Sequence, residues 1–448
     1  MARINIPLYK RLYEDVRLKI LRGELKKNTK LESVRSLSKR LDISTTTVEK
    51  AYNQLLVEGY VTSIPRSGYI VESIPQDGKK QIRRLVNPIE YFNYDNNKLT
   101  EDLFDIKVYK SVMNKVINYD SKKLFQECDP RGEEELREEI RKYVLKERNI
   151  ACDVNQIVVG AGIQQLLTIL HNLNPGKSVS YLSPEFEKAM NIFRAYGYQL
   201  KPRNTITELC RLISDYLYIS PSNTYPSGDI VKIKDRSKLI KWAKDNESFI
   251  IEDDYNFFIR YNSYSIPSIY SYDNGENVIY MGSFSKIIIP SIKISYMILP
   301  IPLYEKYKDV FEMFSQSVSK LDQLSLALFM KEGLFQRHIK KLYNKYKEKN
   351  EAILQALNKQ HKRKDFKVLG SDSNLHIIID FKRKTDLKSF TRNCERYHLA
   401  FNIIADSNKV IFPYSGFELK DIPRIIKDLF YSIQEVIYHL SLFSLVHL

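Results

Sequence analysis

The 448-residue sequence predicts an α/β protein built from a small N-terminal winged helix-turn-helix domain and a larger three-layer αβα domain. Two observations lead to this prediction. Residues 7–71 contain three short segments with helical apolar spacing, followed by two strand-like runs. From about residue 99 onward, helical and strand patterns alternate along the chain, which is typical of a layered α/β domain. The chain is long enough for two or more domains with a sizeable core.

The charge of the chain is strongly positive and unevenly distributed. Lys and Arg total 70 against 54 Asp and Glu, a formal net charge of +16. Residues 1–73 hold 14 of the basic and 8 of the acidic residues, so this segment is roughly three times as basic per residue as the remainder. A basic segment is compatible with nucleic-acid binding, and equally with solvated surface lysines.

Cysteine usage and hydropathy indicate a soluble cytoplasmic protein. The four cysteines, at positions 128, 152, 210 and 394, lie too far apart for a metal knuckle or a disulfide framework and suit a reducing compartment. The basic residues near the N-terminus frame no apolar core, which a signal peptide requires, and no uninterrupted apolar run reaches the length of a membrane span. We therefore expect cytoplasmic localisation, no bound metal and no membrane contact.

The first three helices and a hairpin are expected within the N-terminal segment. Apolar residues at helical spacing predict a helix over 7–22, which a glycine ends. A second helix is expected over 33–41 and a third over 44–58, because each begins with a serine that can act as an N-cap. Only two residues separate these helices, which is helix-turn-helix spacing. Residues 60–71 are typical of two strands around a basic turn, a wing.

Hydroxyl and basic residues gather around the start of the third helix. Short hydroxyl side chains can reach base edges and phosphates from a major groove, and the surrounding basic residues suit phosphate contacts. A plain structural module of three helices and a hairpin is the alternative. The candidate DNA-binding residues are Arg35, Ser44, Thr45, Thr46, Thr47, Lys50, Arg66 and Gly68.

Four N-terminal motifs resemble the winged-helix domain of the GntR family. They are Pro7-Leu-Tyr9, Leu31-Glu-Ser-Val-Arg-Ser-Leu37, Thr46-Thr-Val-Glu-Lys-Ala-Tyr-Asn-Gln-Leu-Leu-Val-Glu-Gly-Tyr60 and Ser67-Gly-Tyr-Ile-Val71. Glu32 stands where that family usually has proline, and Thr45 where an arginine is common. The resemblance implies binding to double-stranded operator DNA, while these departures mean that the operator sequence does not carry over.

Residues 74–98 predict a linker between the two domains. They are rich in proline, glycine, asparagine and charge and show no sustained period. A basic cluster within them, at positions 79, 80, 83 and 84, is a candidate for DNA contact or for a solvated linker surface. The predicted boundaries are therefore 1–73 for the winged helix, 74–98 for the linker and 99–448 for the α/β domain.

Two apolar segments of the larger domain end in groups that carry chemistry. The run Phe249-Ile-Ile251 ends in Glu252-Asp-Asp-Tyr255, the pattern of a buried parallel strand whose end points into a site. About thirty residues later, the run 278–281 leads into Ser283-Phe-Ser-Lys286. Ligands of open α/β sheets bind at the carboxyl ends of strands, where an acid can pair with a protonated pyridine nitrogen and a lysine can form an imine. This is the arrangement of a pyridoxal phosphate (PLP) site. The alternative for Lys286 is a strand-end lysine whose ammonium reaches water.

A glycine turn supplies a candidate phosphate site. Ile157-Val-Val-Gly-Ala-Gly162 is typical of a strand and a turn, and Ile163 begins a helical pattern. A helix N-terminus after such a turn binds phosphate through free amides and its dipole, although an ordinary βα turn has the same pattern. Phe186, just after another strand pattern, is placed to stack on a flat ring.

Six motifs of the larger domain resemble, in order, the landmarks of fold-type I aminotransferases. They are Asp129-Pro-Arg-Gly132, Gly162-Ile-Gln-Gln165, Ser183-Pro-Glu-Phe186, Ser220-Pro-Ser-Asn-Thr-Tyr-Pro-Ser-Gly228, Glu252-Asp-Asp-Tyr255 and Gly282-Ser-Phe-Ser-Lys286. Behind a GntR-type winged helix, they resemble the MocR/GabR-like subgroup of bacterial regulators. The resemblance implies a PLP cofactor, a homodimer whose sites are completed at the subunit interface, and a small C-terminal α+β subdomain over about 330–448.

The resemblance assigns roles to residues that would surround the pyridine ring. Lys286 matches the lysine of the internal aldimine, Asp253 the acid that keeps the pyridine nitrogen protonated and Tyr255 the hydrogen-bond donor to the phenolic oxygen. Phe186 matches the stacking ring, which is usually a tyrosine.

Another set of positions matches the phosphate-binding residues of that family. Ser283 and Ser285 match the phosphate-binding serines, and the backbone amides of Ile163 and Gln164 match the helix-terminus partners. Lys293 stands where the family has an arginine, so the charge is kept but the bidentate fork is lost.

The departures favour sensing over turnover. Ile411 occupies the position of the arginine that clamps the substrate α-carboxylate, and such a clamp orients an amino acid for proton abstraction. Asn223-Thr224 replaces the usual His-Gln. We therefore expect a PLP-dependent regulator that senses PLP or an amine or amino-acid effector. The alternatives are an aminotransferase with an appended winged helix, for which Lys188 is a candidate carboxylate partner, and a regulator whose second domain serves only for dimerisation.

Overall fold

The computed structural model describes residues 7–65, 68–72, 103–183, 187–261, 266–360, 366–373, 375–382, 384–397, 399, 401–404 and 407–445, with side chains up to residue 433. The chain divides into two compact units, Met1–Glu90 and Tyr91–Leu448. The predicted linker over 74–98 lies outside the described residues, so its boundaries stay a prediction. In the part of the chain that the structure describes, no helix is long and apolar enough to cross a membrane.

The N-terminal unit is a winged helix-turn-helix, as predicted. Its elements are α1 (Leu8–Leu21), α2 (Val34–Leu41), α3 (Thr45–Val57), β1 (Val61–Ile64) and β2 (Gly68–Val71). The Ser33 hydroxyl accepts from the backbone N–H of Ser36, and the Ser44 hydroxyl from that of Thr47, each at 3.2 Å. Both serines are therefore N-caps, which stop two helix starts from fraying. Apolar residues of the three helices and both strands form one buried cluster that includes Val48 and Leu55.

The larger unit alternates strands and helices along most of its length. Its helices are α4 (Ile106–Tyr119), α5 (Glu134–Arg148), α6 (Ile163–Leu173), α7 (Glu187–Ala195), α8 (Ile206–Leu209), α9 (Ile233–Asp245), α10 (Tyr270–Asp273), α11 (Ile301–Tyr307), α12 (Lys320–Lys331), α13 (Leu334–Gln360), α14 (Leu387–Glu395) and α15 (Ile422–Leu445). Its strands are β3 (Ile157–Gly160), β4 (Ser178–Leu182), β5 (Gln199–Arg203), β6 (Tyr216–Ile219), β7 (Phe249–Asp253), β8 (Val278–Ser283), β9 (Ser295–Ile298), β10 (Phe366–Leu369), β11 (His376–Phe381), β12 (Asn402–Ile403) and β13 (Lys409–Pro413).

Seven of these strands form one sheet in the order β3-β9-β8-β7-β6-β4-β5. Strands β8, β7, β6, β4 and β5 pair in parallel, whereas β9 runs antiparallel to β8 and β3. The carboxyl ends of β6, β7 and β8 therefore meet at one edge, and the loops that follow them lie side by side. Ligands of open α/β sheets bind at such an edge.

Helices cover both faces of this sheet, which gives the predicted three-layer architecture. Leu166 of α6 and Phe193 of α7 pack on one face in a cluster with Tyr218 and Ile251 of the sheet. On the other face, Leu136 of α5 and other helical residues pack against Ile250 and its neighbours. Because side chains alternate along a strand, successive apolar residues of the central strands face these two cores in turn.

The C-terminal part of the larger unit has its own sheet and core. The antiparallel sheet has the order β10-β11-β13-β12. A separate hydrophobic cluster runs from Ile353 to Ile433 and joins one face of this sheet to α13, α14 and α15. This confirms the small α+β subdomain, while its predicted start near residue 330 stays a prediction because α13 also contributes Phe335 and Leu342 to the larger core.

Candidate functional site

A cavity of about 500 Å³ opens at the carboxyl ends of β7 and β8. It is lined by Ala161, Gly162, Ile163, Gln164, Glu187, Lys188, Tyr225, Asp253, Tyr255, Asn256, Ser283, Ser285, Lys286, Pro290, Lys293, Ser295, Leu375, His376 and Asn402. All the predicted cofactor residues within the described part of the chain line this one cavity. Phe186 lies outside the described residues, and the roles assigned to the others stay predictions.

The three consecutive acids at the end of β7 have different partners. Glu252 accepts the backbone N–H groups of Ile269 and Tyr270 at 2.8 and 2.9 Å. Asp254 Oδ2 lies 2.6 Å from Arg148 Nε in an ion pair with no exposed side-chain surface. Side-chain alternation turns the acid between them to the opposite face of the sheet, so Asp253 alone of the three lines the cavity.

Asp253 is buried, with 2% of its surface exposed, and has one hydrogen-bond partner among the described residues. The phenol of Tyr218 donates to its Oδ2, while Oδ1 has no hydrogen-bond partner there. Burial, and then the charge of Asp254, raise the pKa of Asp253 to about 6, against the opposing effects of the Tyr218 hydrogen bond and Lys286. The carboxylate therefore retains capacity for one strong donor on its cavity side.

The Lys286 amine has the aromatic ring of Tyr255 as a neighbour. Its Nζ is 4.9 Å from the centroid of the Tyr255 ring. The Tyr255 hydroxyl donates to the backbone carbonyl of Asn223 at 3.3 Å. The Nδ2 of Asn223 is buried without a hydrogen-bond partner among the described residues. The cavity lining thus combines the Lys286 amine with the Tyr255 phenol.

The start of α6 and the turn after β8 also line the cavity. Gly162 precedes α6 with φ of 102°, a conformation that favours glycine, and no side chain caps the helix there. The first amides of α6 therefore face the cavity without an internal helical partner. In the same lining, Ser295 Oγ donates to Ser283 Oγ at 2.9 Å, and the Ser285 N–H also donates to Ser283 Oγ at 3.3 Å.

Gly282 shows why a glycine precedes these serines. A Cβ at this position would lie 2.4 Å from the Tyr296 ring on β9, closer than any packing tolerates. The glycine lets Tyr296 pack directly on the β8 backbone, which fixes the turn that carries Ser283 and Lys286.

His376, at the start of β11, closes the cavity from the small subdomain. Its Nε2 lies 2.8 Å from the carbonyl oxygen of Pro226, so Nε2 carries the proton. Burial, together with the charge of Lys286, lowers the pKa of His376 to about 4. The ring is therefore neutral near pH 7. This residue was missed in the sequence because no strand-end or motif pattern singles it out.

The carboxylate clamp expected from the resemblance is absent at Ile411. This side chain is 1% exposed in β13, where its Cα pairs with Ile378 of β11 and Asn402 of β12. Among the described lining residues the cations are Lys188, Lys286 and Lys293, and none is an arginine. A bidentate guanidinium contact to a carboxylate is thus not available from the described lining.

The predicted DNA-binding residues within the described part of the chain lie on the N-terminal unit, largely exposed. Arg35 on α2 and Lys50 on α3 are exposed, as are Ser44, Thr45 and Thr46. Thr47 is half-buried, and Gly68 begins β2 with φ of 101°. Arg66 lies outside the described residues. Because the Ser44 hydroxyl is used as an N-cap and bonds the Thr47 hydroxyl at 2.7 Å, these two side chains primarily shape the helix start.

Glu32 stands where the GntR family usually has proline, and it forms an ion pair with Arg40. Arg40 was not singled out by the sequence patterns. Glu32 Oε2 forms this ion pair at 2.9 Å, and Glu32 Oε1 accepts from the Ser36 hydroxyl at 2.7 Å. The Ser36 hydrogen bond and Arg40 lower the pKa of Glu32, so the carboxylate stays ionised and masks one positive charge of α2.

Replacing Glu32 by glutamine is expected to unmask Arg40 and strengthen non-specific DNA binding. One additional phosphate contact would steepen the plot of log K against log salt by about 0.9. Fluorescence anisotropy of a labelled duplex across a salt series measures that slope. Asp15→Asn is the matched control, because Asp15 pairs with Lys19 on α1 in a similar exposed ion pair at 2.8 Å. An unchanged slope in Glu32→Gln would show that Arg40 makes no phosphate contact.

The cavity fits the chemical features of PLP. The unpartnered Asp253 Oδ1 suits a protonated ring nitrogen, and the Tyr255 hydroxyl suits an anionic oxygen. The amides of α6, the serine hydroxyls and Lys293 suit a phosphate. Lys286 suits an aldehyde carbon. The lining therefore contains a donor, acceptor or nucleophile suited to each functional group of PLP.

Each of the two units matches a known protein family. Residues 8–71 match the family "Bacterial regulatory proteins, gntR family", and residues 93–425 match "Aminotransferase class I and II". The HTH-type transcriptional regulator YdeL of Bacillus subtilis is 35% identical over 395 residues, which cover 84% of each chain. The regulatory protein MocR of Rhizobium meliloti is 26% identical over 85% of this chain and 83% of its own.

A solved structure with a similar fold is LysN, the α-aminoadipate aminotransferase of Thermus thermophilus in complex with N-(5'-phosphopyridoxyl)-L-leucine. It superimposes with a TM-score of 0.68 at 17% identity, over 76% of this chain and 92% of its own. This likeness establishes the fold-type I architecture of the larger unit. With a GntR-family winged helix joined to an aminotransferase class I and II domain, and with relatives that are HTH-type transcriptional regulators, the chain belongs to the MocR-type family of transcriptional regulators.

Proposed function

We propose that this regulator binds PLP covalently through Lys286 and that the occupancy of the cavity, or its reaction with an amine, controls operator binding by the winged helix. One observation carries the proposal: a single cavity combines the Lys286 amine, an unpartnered carboxylate oxygen of Asp253 and the free amides at the start of α6. LysN, which shares this fold, holds a phosphopyridoxyl group, and that supports the same cofactor here.

The cavity residues that would surround the cofactor have the following proposed tasks. Lys286 binds the cofactor, and Asp253 holds a proton at the ring nitrogen. Tyr255 orients the phenolic oxygen. The amides of Ile163 and Gln164, with the serines and Lys293, bind the phosphate. When bound, PLP supplies an aldehyde carbon that can capture an amine.

The lining supports sensing rather than turnover. Transamination needs the α-carboxylate held in a fixed orientation while a proton is removed. Ile411 cannot make that contact, and the cations of the described lining are lysines, which lack the planar fork of arginine. Captured amines would therefore stay bound and would not be converted efficiently. A bound amine can control DNA binding if its affinity differs between two arrangements of the domains.

The proposed regulator acts as a homodimer. Large apolar side chains remain exposed on the larger unit: Tyr119 is 85% exposed, Phe125 92% and Met313 81%. Such side chains suit coverage by a second copy. Two winged helices in one dimer would address two operator half-sites.

The visible absorption spectrum of the purified protein with added PLP tests the proposal. We expect a band of lysine-bound PLP, which borohydride fixes irreversibly onto the peptide that contains Lys286, as found by mass spectrometry. Light scattering is expected to give about twice the mass of one chain. A protein that stays colourless with excess PLP and acquires no borohydride-fixed mass would refute the cofactor proposal.

A further inference from the structure

Tyr218 on β6 is the described hydrogen-bond partner of the Asp253 side chain. It is fully buried, and its phenol donates to Asp253 Oδ2. The register of the sheet fixes this contact. The Cα atom of Tyr218 pairs with that of Ile251 on β7, and Asp253 follows Ile251 on the same face of the strand. Both side chains therefore lie on the face of the sheet that α6 covers.

The two carboxylate oxygens of Asp253 face different surroundings. Oδ2 receives the phenolic hydrogen bond, while Oδ1 has no partner among the described residues. The inference rests on the proposed function, in which Oδ1 contacts the ring nitrogen of PLP. The proton in that contact has two positions: on nitrogen, beside an ionised carboxylate, or on Oδ1, beside a neutral pyridine. The total number of protons is the same in both arrangements.

We propose that Tyr218 is a positioning residue that keeps this proton on the ring nitrogen by stabilising the ionised form of Asp253. A donated hydrogen bond favours the charged form of a carboxylate, and this effect is strongest where water is excluded. The other charged groups that affect Asp253 are Asp254, which opposes its ionisation, and Lys286, which favours it. Tyr218 adds a neutral donor to this balance and points directly at the carboxylate.

Tyr218→Phe tests the proposal with a spectroscopic readout. The chemical shift of the ring nitrogen in bound [15N]PLP is expected to be that of a protonated pyridine in the unmodified protein. In Tyr218→Phe, loss of a hydrogen bond to a charged group is expected to move the ratio of the two proton positions by about tenfold or more toward neutral pyridine. Asp253→Asn marks the shift of the neutral limit.

Tyr216→Phe is the matched control. Tyr216 lies on the same strand and face, is 1% exposed, and donates to the backbone carbonyl of Asn174 at 2.5 Å, away from the cavity. It is expected to leave the nitrogen shift unchanged while costing similar thermal stability. A nitrogen shift that responds equally to both variants, or to neither, would overturn the role of Tyr218.

A second variant retains the packing of Tyr218 in case the phenylalanine protein does not fold. Site-specific 3-fluorotyrosine keeps the hydroxyl and makes it a more acidic donor. In the PLP-free protein, carboxyl 13C NMR is expected to give a lower pKa for Asp253 with 3-fluorotyrosine and a higher pKa with phenylalanine. An Asp253 pKa that is insensitive to 3-fluorotyrosine contradicts the inference. Failure of the unmodified protein to bind PLP would instead reject the proposed function and leaves this carboxyl titration interpretable.

Discussion

Lys286→Ala is expected to abolish covalent attachment of PLP and the response of DNA binding to amines. Lys286 is the lysine beside Tyr255 at the end of the cavity that also contains Asp253, and alanine offers no nucleophile there. Borohydride treatment followed by mass spectrometry should find no adduct, and the visible band of lysine-bound PLP should disappear. Winged-helix contacts with non-specific DNA should remain, because they lie in the separate N-terminal unit.

Lys293→Ala provides the matched control for that experiment. Lys293 lines the same cavity and is proposed to contact the phosphate, so its loss is expected to raise the PLP concentration needed for saturation by about tenfold. The adduct on Lys286 should still form at saturating PLP. A borohydride-fixed adduct in Lys286→Ala, at Lys293 or elsewhere, would mean that Lys286 is not the attachment site.

Arg148→Met is expected to destabilise the larger unit strongly. Arg148 Nε lies 2.6 Å from Asp254 Oδ2, and neither side chain has exposed surface. Burial by itself lowers the pKa of Arg148, but the charge of Asp254 outweighs it and the pKa lies above its usual value. Methionine would leave Asp254 as an uncompensated buried charge, which costs about 3–5 kcal/mol of the free energy of unfolding. Urea unfolding followed by circular dichroism measures this loss.

Another arginine of α5 calibrates the cost. Arg141 pairs with Glu138 at 3.0 Å, and both side chains are about one-third exposed. Arg141→Met is therefore expected to cost less than about 1 kcal/mol. Adding Asp254→Asn to Arg148→Met should recover part of the stability, since the buried charge is then removed. Equal losses for the two arginines would show that the buried pair contributes no more than a surface pair.

Local patterns predicted the cavity residues that lie at strand ends. Lys286 and Asp253 each follow an apolar run, and parallel strands bring such ends to one edge of the sheet, so their proximity followed from the sequence. The N-caps Ser33 and Ser44 were equally local, since a cap depends only on the next three residues. Such features require no knowledge of how distant segments pack.

The partners of the three acids at the end of β7 could not be obtained in this way. Tyr218 meets Asp253 only because β6 and β7 pair in one particular register, and the two residues are 35 positions apart. Arg148 was not singled out by any sequence pattern; it lies in the last turn of α5 and pairs with Asp254 at the end of β7. Identifying these contacts needs the tertiary arrangement, which no periodicity in the sequence encodes.

The alternating orientation of these three acids helps to specify the register in which β7 pairs with its neighbours. If β7 slipped by one residue against its neighbours, Asp253 would turn into the layer beside Arg148, and Glu252 or Asp254 would turn into the cavity. In the slipped register Glu252 would lose the backbone N–H groups of Ile269 and Tyr270, and Asp253 would lose the phenol of Tyr218. The side chains of the three acids therefore favour one register of β7 over its neighbours, in addition to the backbone hydrogen bonds of the sheet.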